Sequence, residues 1–385
     1  MTGQGPISGT CKDSFRFTWT EFSGSLGDLG VFIPLVVGMT ITCGLDIGVV
    51  LILAGLMNIA TGLLFRQPLP VQPMKALASV VITEGLTRDE LTAAGIWMGA
   101  LLLFFSFFID HVLRLVPKAV VRGIQLGVGL KLALKGVLGM GNLSLTGLNS
   151  LFTGILVIGC LLIFLKRRQP VLLYIFLFGF FLQYLEFPSA FSPMVVTAPG
   201  FYIHWPSSSG WLPGLLKGAL PQIPLTLLNS VVAVCALSAD YFPGRGIPLK
   251  RMAASVGIMN LVCVPLGGLP MCHGSGGLAA QYRFGARTGM SVVMLGVVKV
   301  FVGFLFGGMM LKLLQTYPMA VLSPMLIFAG MELAKASQDV FGNRQWAAVC
   351  LVTAGFILTV DTLAGFLAGC VLFAVLIRRY ENEKK

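Results

Sequence analysis

Two short stretches of the chain combine residue types that can hold an anion. The first is Pro70-Val-Gln-Pro-Met-Lys-Ala-Leu-Ala78, whose two prolines force extended backbone ahead of a helix starting near Pro73. The second is Leu269-Pro-Met-Cys-His-Gly-Ser-Gly-Gly-Leu-Ala-Ala280, where Gly274, Gly276 and Gly277 let backbone approach a ligand closely and open another helix. Each reads as a strand followed by half a helix. Unpaired N–H groups and the positive end of the dipole make a helix N-terminus an anion site, and two meeting inside a bilayer favour a dianion. The expected site is therefore Gln72, Pro73, Met74 and Lys75 facing His273, Gly274, Ser275 and Gly276. Serine and glutamine can bond a tetrahedral oxyanion, while Lys75 offers a point charge close to the half-helix start.

Each of these residues also has a plainer use. Lys75 could snorkel or pair with Asp28, although ionisable residues inside a membrane default to function. Gln72 and Ser275 could cap loose backbone. His273 is open to three roles: ligand contact, proton coupling or a packed structural imidazole. The glycines could serve tight helix packing. On the helices expected to flank the half-helices stand Asp28, in Gly24-Ser-Leu-Gly-Asp-Leu-Gly30, and Asn229 with Ser230, in Leu225-Thr-Leu-Leu-Asn-Ser230. Asp28, Asp240 and His273 are the groups that could take a coupling proton, with Asp28 also readable as a solvated end cap. No sodium cage is recognisable, so proton and sodium both stay open as the coupling ion. A nucleophile, Cys272 or Ser275, beside His273 would suit an intramembrane hydrolase. Adjacency in sequence is not hydrogen-bond geometry, however, and neither a third member nor a Gly-x-Ser-x-Gly elbow accompanies it. The chain is expected not to be an enzyme.

The elements that must position these residues follow from composition. Of 385 residues, 56% are hydrophobic and 11% charged, against roughly 25% charged in a soluble domain. Apolar stretches recur from Val31–Leu45 through Leu363–Ile377, with charges confined to the gaps. This predicts an all-α polytopic membrane protein with about fourteen membrane segments, two of them, Pro73–Thr83 and Gly274–Tyr282, too short to span as ordinary helices. The formal charge of +12 would suit nucleic acid only if the basic residues shared one face. They instead fill alternate gaps: Arg66; Arg114, Lys118 and Arg122; Lys166, Arg167 and Arg168; Arg245, Lys250 and Arg251; Arg283 and Arg287; Arg344; and the tail. No nucleic-acid partner is expected, and both termini should be cytoplasmic, in a cell (inner) membrane. The eight cysteines lack metal-ligand spacing and read as small buried hydrophobes, so no metal or cofactor is expected. Met1–Glu21 lacks the order of a signal peptide.

The chain also repeats itself. Pro117-Lys-Ala-Val-Val-Arg-Gly-Ile-Gln-Leu-Gly-Val-Gly-Leu-Lys-Leu-Ala133 reads onto Pro318-Met-Ala-Val-Leu-Ser-Pro-Met-Leu-Ile-Phe-Ala-Gly-Met-Glu-Leu-Ala334. The same offset puts Leu77-Ala78 on Leu278-Ala279, and Ile33-Pro34-Leu35 has a counterpart in Ile223-Pro224-Leu225. If each half makes seven crossings, an odd number, the second half must enter from the opposite side. Such inverted repeats with a short Gly/Pro-interrupted segment in each half point to a transporter site at the midplane. The expected division is a cytoplasmic segment 1–20, repeats 21–186 and 216–380, an extracytoplasmic loop 187–215 between them, and a short tail 381–385.

At Pro70-Val-Gln-Pro-Met-Lys-Ala76, Gly27-Asp-Leu-Gly-Val-Phe-Ile-Pro34 and Pro270-Met-Cys-His-Gly-Ser-Gly-Gly-Leu-Ala-Ala-Gln-Tyr-Arg-Phe-Gly-Ala-Arg287, the chain resembles the molybdate transporter family related to the sulfate permeases (SulP). The resemblance runs from about Phe17 to the last helix. It implies a seven-plus-seven fold with core and gate domains, substrate between the third and tenth segments, and uptake of molybdate. Many sulfate permeases carry a cytoplasmic STAS domain after the last helix; its expected absence favours the molybdate branch. The expected function is secondary active transport of a tetrahedral oxyanion, molybdate first, with sulfate on the same fold as the alternative and a hydrolase as the remote one. Bicarbonate or a nucleobase would also fit an inverted repeat. Membrane lipid is an expected partner, and a homodimer stays open.

Overall fold

The computed structural model describes residues 15–164, 171–188 and 199–383. Most of the expected N-terminal segment, the basic gap Lys166–Arg168, residues 189–198 of the expected loop and the last two lysines lie outside them. The described chain is helical apart from two short strands. In order it forms α1 (Trp19–Ser25), α2 (Leu29–Cys43), α3 (Ile47–Phe65), β1 (Gln72–Pro73), α4 (Lys75–Glu84), α5 (Arg88–Ser106), α6 (Ile109–Arg114), α7 (Lys118–Gly141), α8 (Leu151–Phe164) and α9 (Val171–Glu186). A 34-residue helix, α10 (Ser208–Tyr241), follows. The rest is α11 (Leu249–Cys263), β2 (Met271–Cys272), α12 (Ser275–Phe284), α13 (Met290–Gln315), α14 (Met319–Lys335), α15 (Arg344–Thr359) and α16 (Thr362–Glu383).

Among the described residues, five helical stretches are long and apolar enough to cross a membrane: Ile47–Phe65, Arg88–Ser106, Lys118–Gly141, Ser208–Tyr241 and Met319–Val340. Large apolar side chains such as Leu64, Phe107, Phe152 and Leu162 stand exposed on the outside, as lipid-facing residues do. Two boundaries differ from expectation. Helix α10 begins at Ser208, inside the loop expected over 187–215, because the Asp89 carboxylate accepts from the Ser207 N–H and hydroxyl and fixes the chain at its first turn. Helix α16 continues to Glu383, into the expected tail. The described cysteines are free and buried or half-buried, in line with their reading as small apolar residues.

Lipid tails are as apolar as leucine, so helices in a membrane associate where small residues let backbones come close. Helix α3 packs along α13 in this way, through glycines seven residues apart: Gly48 faces Gly303, Gly55 faces Gly296, and Gly62 faces Gly289, the residue before α13 begins. The pairing falls on one helix as it rises on the other, so the two run antiparallel. A Cβ on Gly296 would lie 2.5 Å from the Gly55 carbonyl oxygen, a backbone atom that cannot step aside. Helices α5 and α11 use Gly99 and Gly257 similarly, and α7 and α14 use Gly129 and Gly330. The variant Gly296→Val is accordingly expected to lose most of its monodisperse fraction on size-exclusion chromatography, with the remainder melting at least about 5 °C below the unsubstituted protein.

The half-helices α4 and α12 have matched construction. Each starts directly after a strand, runs for 10 residues and stops at a glycine in the left-handed region, Gly85 at φ 74° and Gly285 at φ 115°. Residues with a side chain resist that conformation, which ends the helix there.

Candidate functional site

Strands β1 and β2 pair antiparallel, with Gln72 opposite Cys272 and Pro73 opposite Met271. The Met74 N–H adds a bond of 3.0 Å to the Pro270 carbonyl. Because each half-helix continues from its strand, antiparallel pairing brings the starts of α4 and α12 together and sends the two helices away in opposite senses. The sequence expectation of two electropositive tips at one junction is thus met in geometry. Each tip carries roughly half a positive charge.

Four of the ten expected site residues keep some exposure at this junction: Lys75, Asn229, Ser275 and Gly276. The Lys75 Nζ lies 3.8 Å from where a Cβ on Gly276 would sit, so the ammonium of the first half-helix reaches over the first turn of the second. Ser275 donates its hydroxyl to Asn229 Oδ1 at 2.6 Å, tying the start of α12 to α10. The other six, Gln72, Pro73, Met74, His273, Gly274 and Ser230, are buried. The Gln72 amide occupies the space that a side chain at position 274 would need, which explains the glycine there.

His273 bonds through both ring nitrogens. Its Nδ1 lies 3.0 Å from the Pro70 carbonyl, which can only accept, so Nδ1 carries the proton. Its Nε2 lies 3.0 Å from the Ser255 hydroxyl on α11, which donates to it. Both nitrogens are engaged in joining the second strand to the lead-in of the first. Neither faces Cys272 or Ser275, so the arrangement a hydrolase requires is not formed.

Asp240 is exposed near the end of α10, beyond the junction. Asp28 closes the short helical turn Leu26–Asp28 that packs on α12; its side chain lies outside the described residues. Glycines make that contact close, since a Cβ on Gly27 would stand 3.1 Å from the Ala280 backbone. The Gly24–Gly30 stretch and the Pro270–Arg287 stretch, distant in sequence, are therefore one packed unit.

Three positioning residues were not foreseen. Asn260 of α11 is fully buried, accepts from the Met271 N–H at 2.8 Å and donates to the Met271 carbonyl at 2.7 Å. Gln222 of α10 accepts from the Leu77 N–H of α4 at 2.8 Å. Lys299 of α13, 5% exposed, donates to Asn58 Oδ1 at 2.9 Å and sits 3.6 Å from the centre of the Phe32 ring. Its Nζ is also 3.5 Å from the Val71 carbonyl, which places a second cation behind the first strand. A lone lysine in the apolar run Met290–Leu311 is the sequence signal that could have found it.

A family model described as "Molybdate transporter of MFS superfamily" matches residues 20–132 and 214–333. Molybdate transporter 2 of Arabidopsis thaliana is 37% identical over 93% of this chain and 87% of its own. The chain belongs to the molybdate transporter family. Molybdate transporter 1 of Chlamydomonas reinhardtii, 32% identical over 95% of this chain and 93% of its own, extends the relationship. Among solved structures, the transmembrane domain of the cyanobacterial bicarbonate transporter BicA superposes with a TM-score of 0.68 at 15% identity, covering 91% of this chain and 98% of that one. SLC26A9 gives 0.72 at 12% identity, covering 94% of this chain and 65% of that one. These likenesses establish a BicA- and SLC26-like membrane fold, and they agree with the expected kinship to sulfate permeases. The superfamily named in the family description would instead have two six-helix halves related by an axis along the membrane normal. The strand-paired half-helices and the superposition both decide for the BicA-like arrangement. The relatives are transporters, so this molybdate transporter family member is an integral, multi-pass anion transporter and not an enzyme.

Proposed function

We propose that the chain is a secondary active transporter that takes up molybdate, bound as a tetrahedral dianion between the starts of α4 and α12. The observation that carries this reading is the junction itself: two helix N-termini joined by a strand pair, with the Lys75 ammonium over the first turn of α12. Backbone N–H groups at Lys75, Ala76, Ser275, Gly276 and Gly277 have no acceptor within their own helices and are the natural anion donors. Lys75 supplies charge, and the Asn229 amide, oriented by the Ser275 hydroxyl that donates to its Oδ1, supplies N–H donors at the rim. Gln72, His273, Gly274 and Ser230 act behind them by holding the strands and the neighbouring helix. The similarity to molybdate transporters of Arabidopsis thaliana and Chlamydomonas reinhardtii favours molybdate over sulfate as cargo.

The architecture we infer is fourteen membrane segments in two inverted repeats of seven. Its support is reciprocal packing: α4 leans on α10, the first long helix of the second half, while α12 leans on α1 and the turn after it, the first of the first half. The pairs α3 with α13 and α5 with α11 likewise exchange places between halves. Segments one to four and eight to eleven form the core carrying the junction. Segments five to seven and twelve to fourteen form the gate against which it moves in alternating access. Both termini are cytoplasmic in a cell membrane, as the basic gaps indicate. Asp28 is the favoured coupling group, because Asp240 is exposed beyond the junction and both His273 nitrogens are engaged; the coupling ion is a proton or sodium.

Cells lacking their own molybdate transporters provide the test. Expression of this chain is expected to raise labelled molybdate uptake at least about tenfold over a vector control, with sulfate at equal concentration reducing it by less than about half. Verified membrane expression without uptake overturns the proposal. Abolition of molybdate uptake by equimolar sulfate reassigns the cargo to sulfate.

A further inference from the structure

Gln222 is 2% exposed and stands behind the junction, yet both ends of its amide are engaged, one by the first turn of α4 and the other by its own helix. Oε1 accepts from the Leu77 N–H at 2.8 Å, and Nε2 donates to Thr226 Oγ1 at 2.8 Å. The orientation is fixed, since a reversed amide would set N–H against N–H. Leu77 is the third residue of α4, so its N–H is one that no carbonyl within the helix can reach. Gln222 thereby supplies that acceptor and pins the tip of α4 to α10.

The same helix holds the other tip. Asn229, seven residues further along, accepts the hydroxyl of Ser275, the first residue of α12. At a rise of about 1.5 Å per residue the two holding points stand roughly 10 Å apart along α10. The helix is unusual where it does this. It is π-helical over Gly214–Ala219 and Thr226–Val232, on both sides of the short α-helical stretch Leu220–Leu225 that carries Pro221, Gln222 and Pro224. Proline removes the bonding N–H and its ring crowds the carbonyl four residues back, and widened turns relieve that crowding. Wide turns also redirect side chains, which lets residues on successive turns face two half-helices.

We propose that Gln222 is a positioning residue that, together with Asn229, makes α10 a ruler: it holds the two half-helix tips at a set separation and so fixes which size of tetrahedral oxyanion fits between them. The ruler rests on the reading of the junction as an anion site. Gln222 does not touch the anion; it decides how far apart the donors that do so stand.

The test uses the purified full chain, with molybdate binding measured by calorimetry, preference measured by sulfate displacement, and folding checked by thermal melting. Gln222→Met keeps the length of the side chain and removes the acceptor. It is expected to weaken molybdate binding by about tenfold and to shrink the preference for molybdate over sulfate by at least about threefold. Gln222→Glu retains an acceptor for the Leu77 N–H. It is expected to restore the preference while weakening both anions through its charge, a split that a merely structural contact does not produce. Should Gln222→Met not fold, Thr226→Val carries the test, because it frees the Gln222 amide and is expected to shift the preference in the same direction by less. A wild-type preference in folded Gln222→Met, or in Thr226→Val in its place, overturns the ruler. Failure of the unsubstituted protein to bind molybdate overturns the anion site instead.

Discussion

Replacing Lys75 with alanine is expected to weaken molybdate binding by about ten- to a hundredfold, whereas Lys118→Ala leaves it within about twofold of the parent. Lys75 opens α4, is half-buried, and sends its ammonium across to within 3.8 Å of the position a Gly276 Cβ would take. An anion at that point gains a charge-assisted hydrogen bond, which is stronger than a bond between neutral groups. Lys118 has the same charge in a different setting. It is 46% exposed, pairs with Asp339 at 3.0 Å and lies 5.9 Å from the centre of the Trp346 ring, so solvent already screens it. The comparison separates local contact from general positive charge, which matters in a chain of net charge +12. Titration of labelled molybdate into each purified protein reads the effect. Equal, small losses in the two variants would remove the Lys75 ammonium from the anion site.

How far the sequence could be read depends on whether a feature is written locally. Pro70 and Pro73 announce an extended entry and a helix start by their own covalent geometry, and α4 begins at Lys75, two residues after the second proline. Gly274 and the glycines after it likewise announce α12. What a local reading cannot supply is how two segments some 200 residues apart meet. The pairing of Gln72 with Cys272, and the engagement of His273 with Pro70 and Ser255, exist only once both strands are in place. His273 shows the limit best, since imidazole chemistry alone allowed three roles and the partners of its two nitrogens, Pro70 and Ser255, are not adjacent to it in the chain. Gln222 and Asn260 were missed for a related reason: a lone amide in an apolar helix carries no periodic signal, and its meaning lies in the backbone group it meets. Asn229 and Ser275, in contrast, were each placed at the junction from sequence. Their bond to one another was not foreseen.

The variant Asn260→Leu is expected to cost about 2–6 kcal/mol of stability and to abolish measurable molybdate uptake, because it removes the outer support of β2. In a strand, the N–H and carbonyl of one residue point to the same side, and antiparallel pairs alternate between bonded and non-bonded positions. Both polar groups of Met271 go to the Asn260 amide, at 2.8 and 2.7 Å, so they face away from β1 and the Pro73–Met271 pair is a non-bonded one. That is where a proline fits, since its missing N–H is not needed by the partner strand. It also means that β1 cannot replace Asn260 if the amide is lost. Leucine preserves the volume but leaves a buried donor and a buried acceptor of Met271 unanswered, where no water reaches them. Position 271 then drifts, and with it the start of α12 four residues on and the donors it presents. Ser255→Ala removes only the hydroxyl bonded to His273 and is expected to cost about 1 kcal/mol. Thermal melting of the two purified variants measures the contrast. A melting temperature for Asn260→Leu within about 2 °C of the parent would mean that β1 by itself suffices to hold β2.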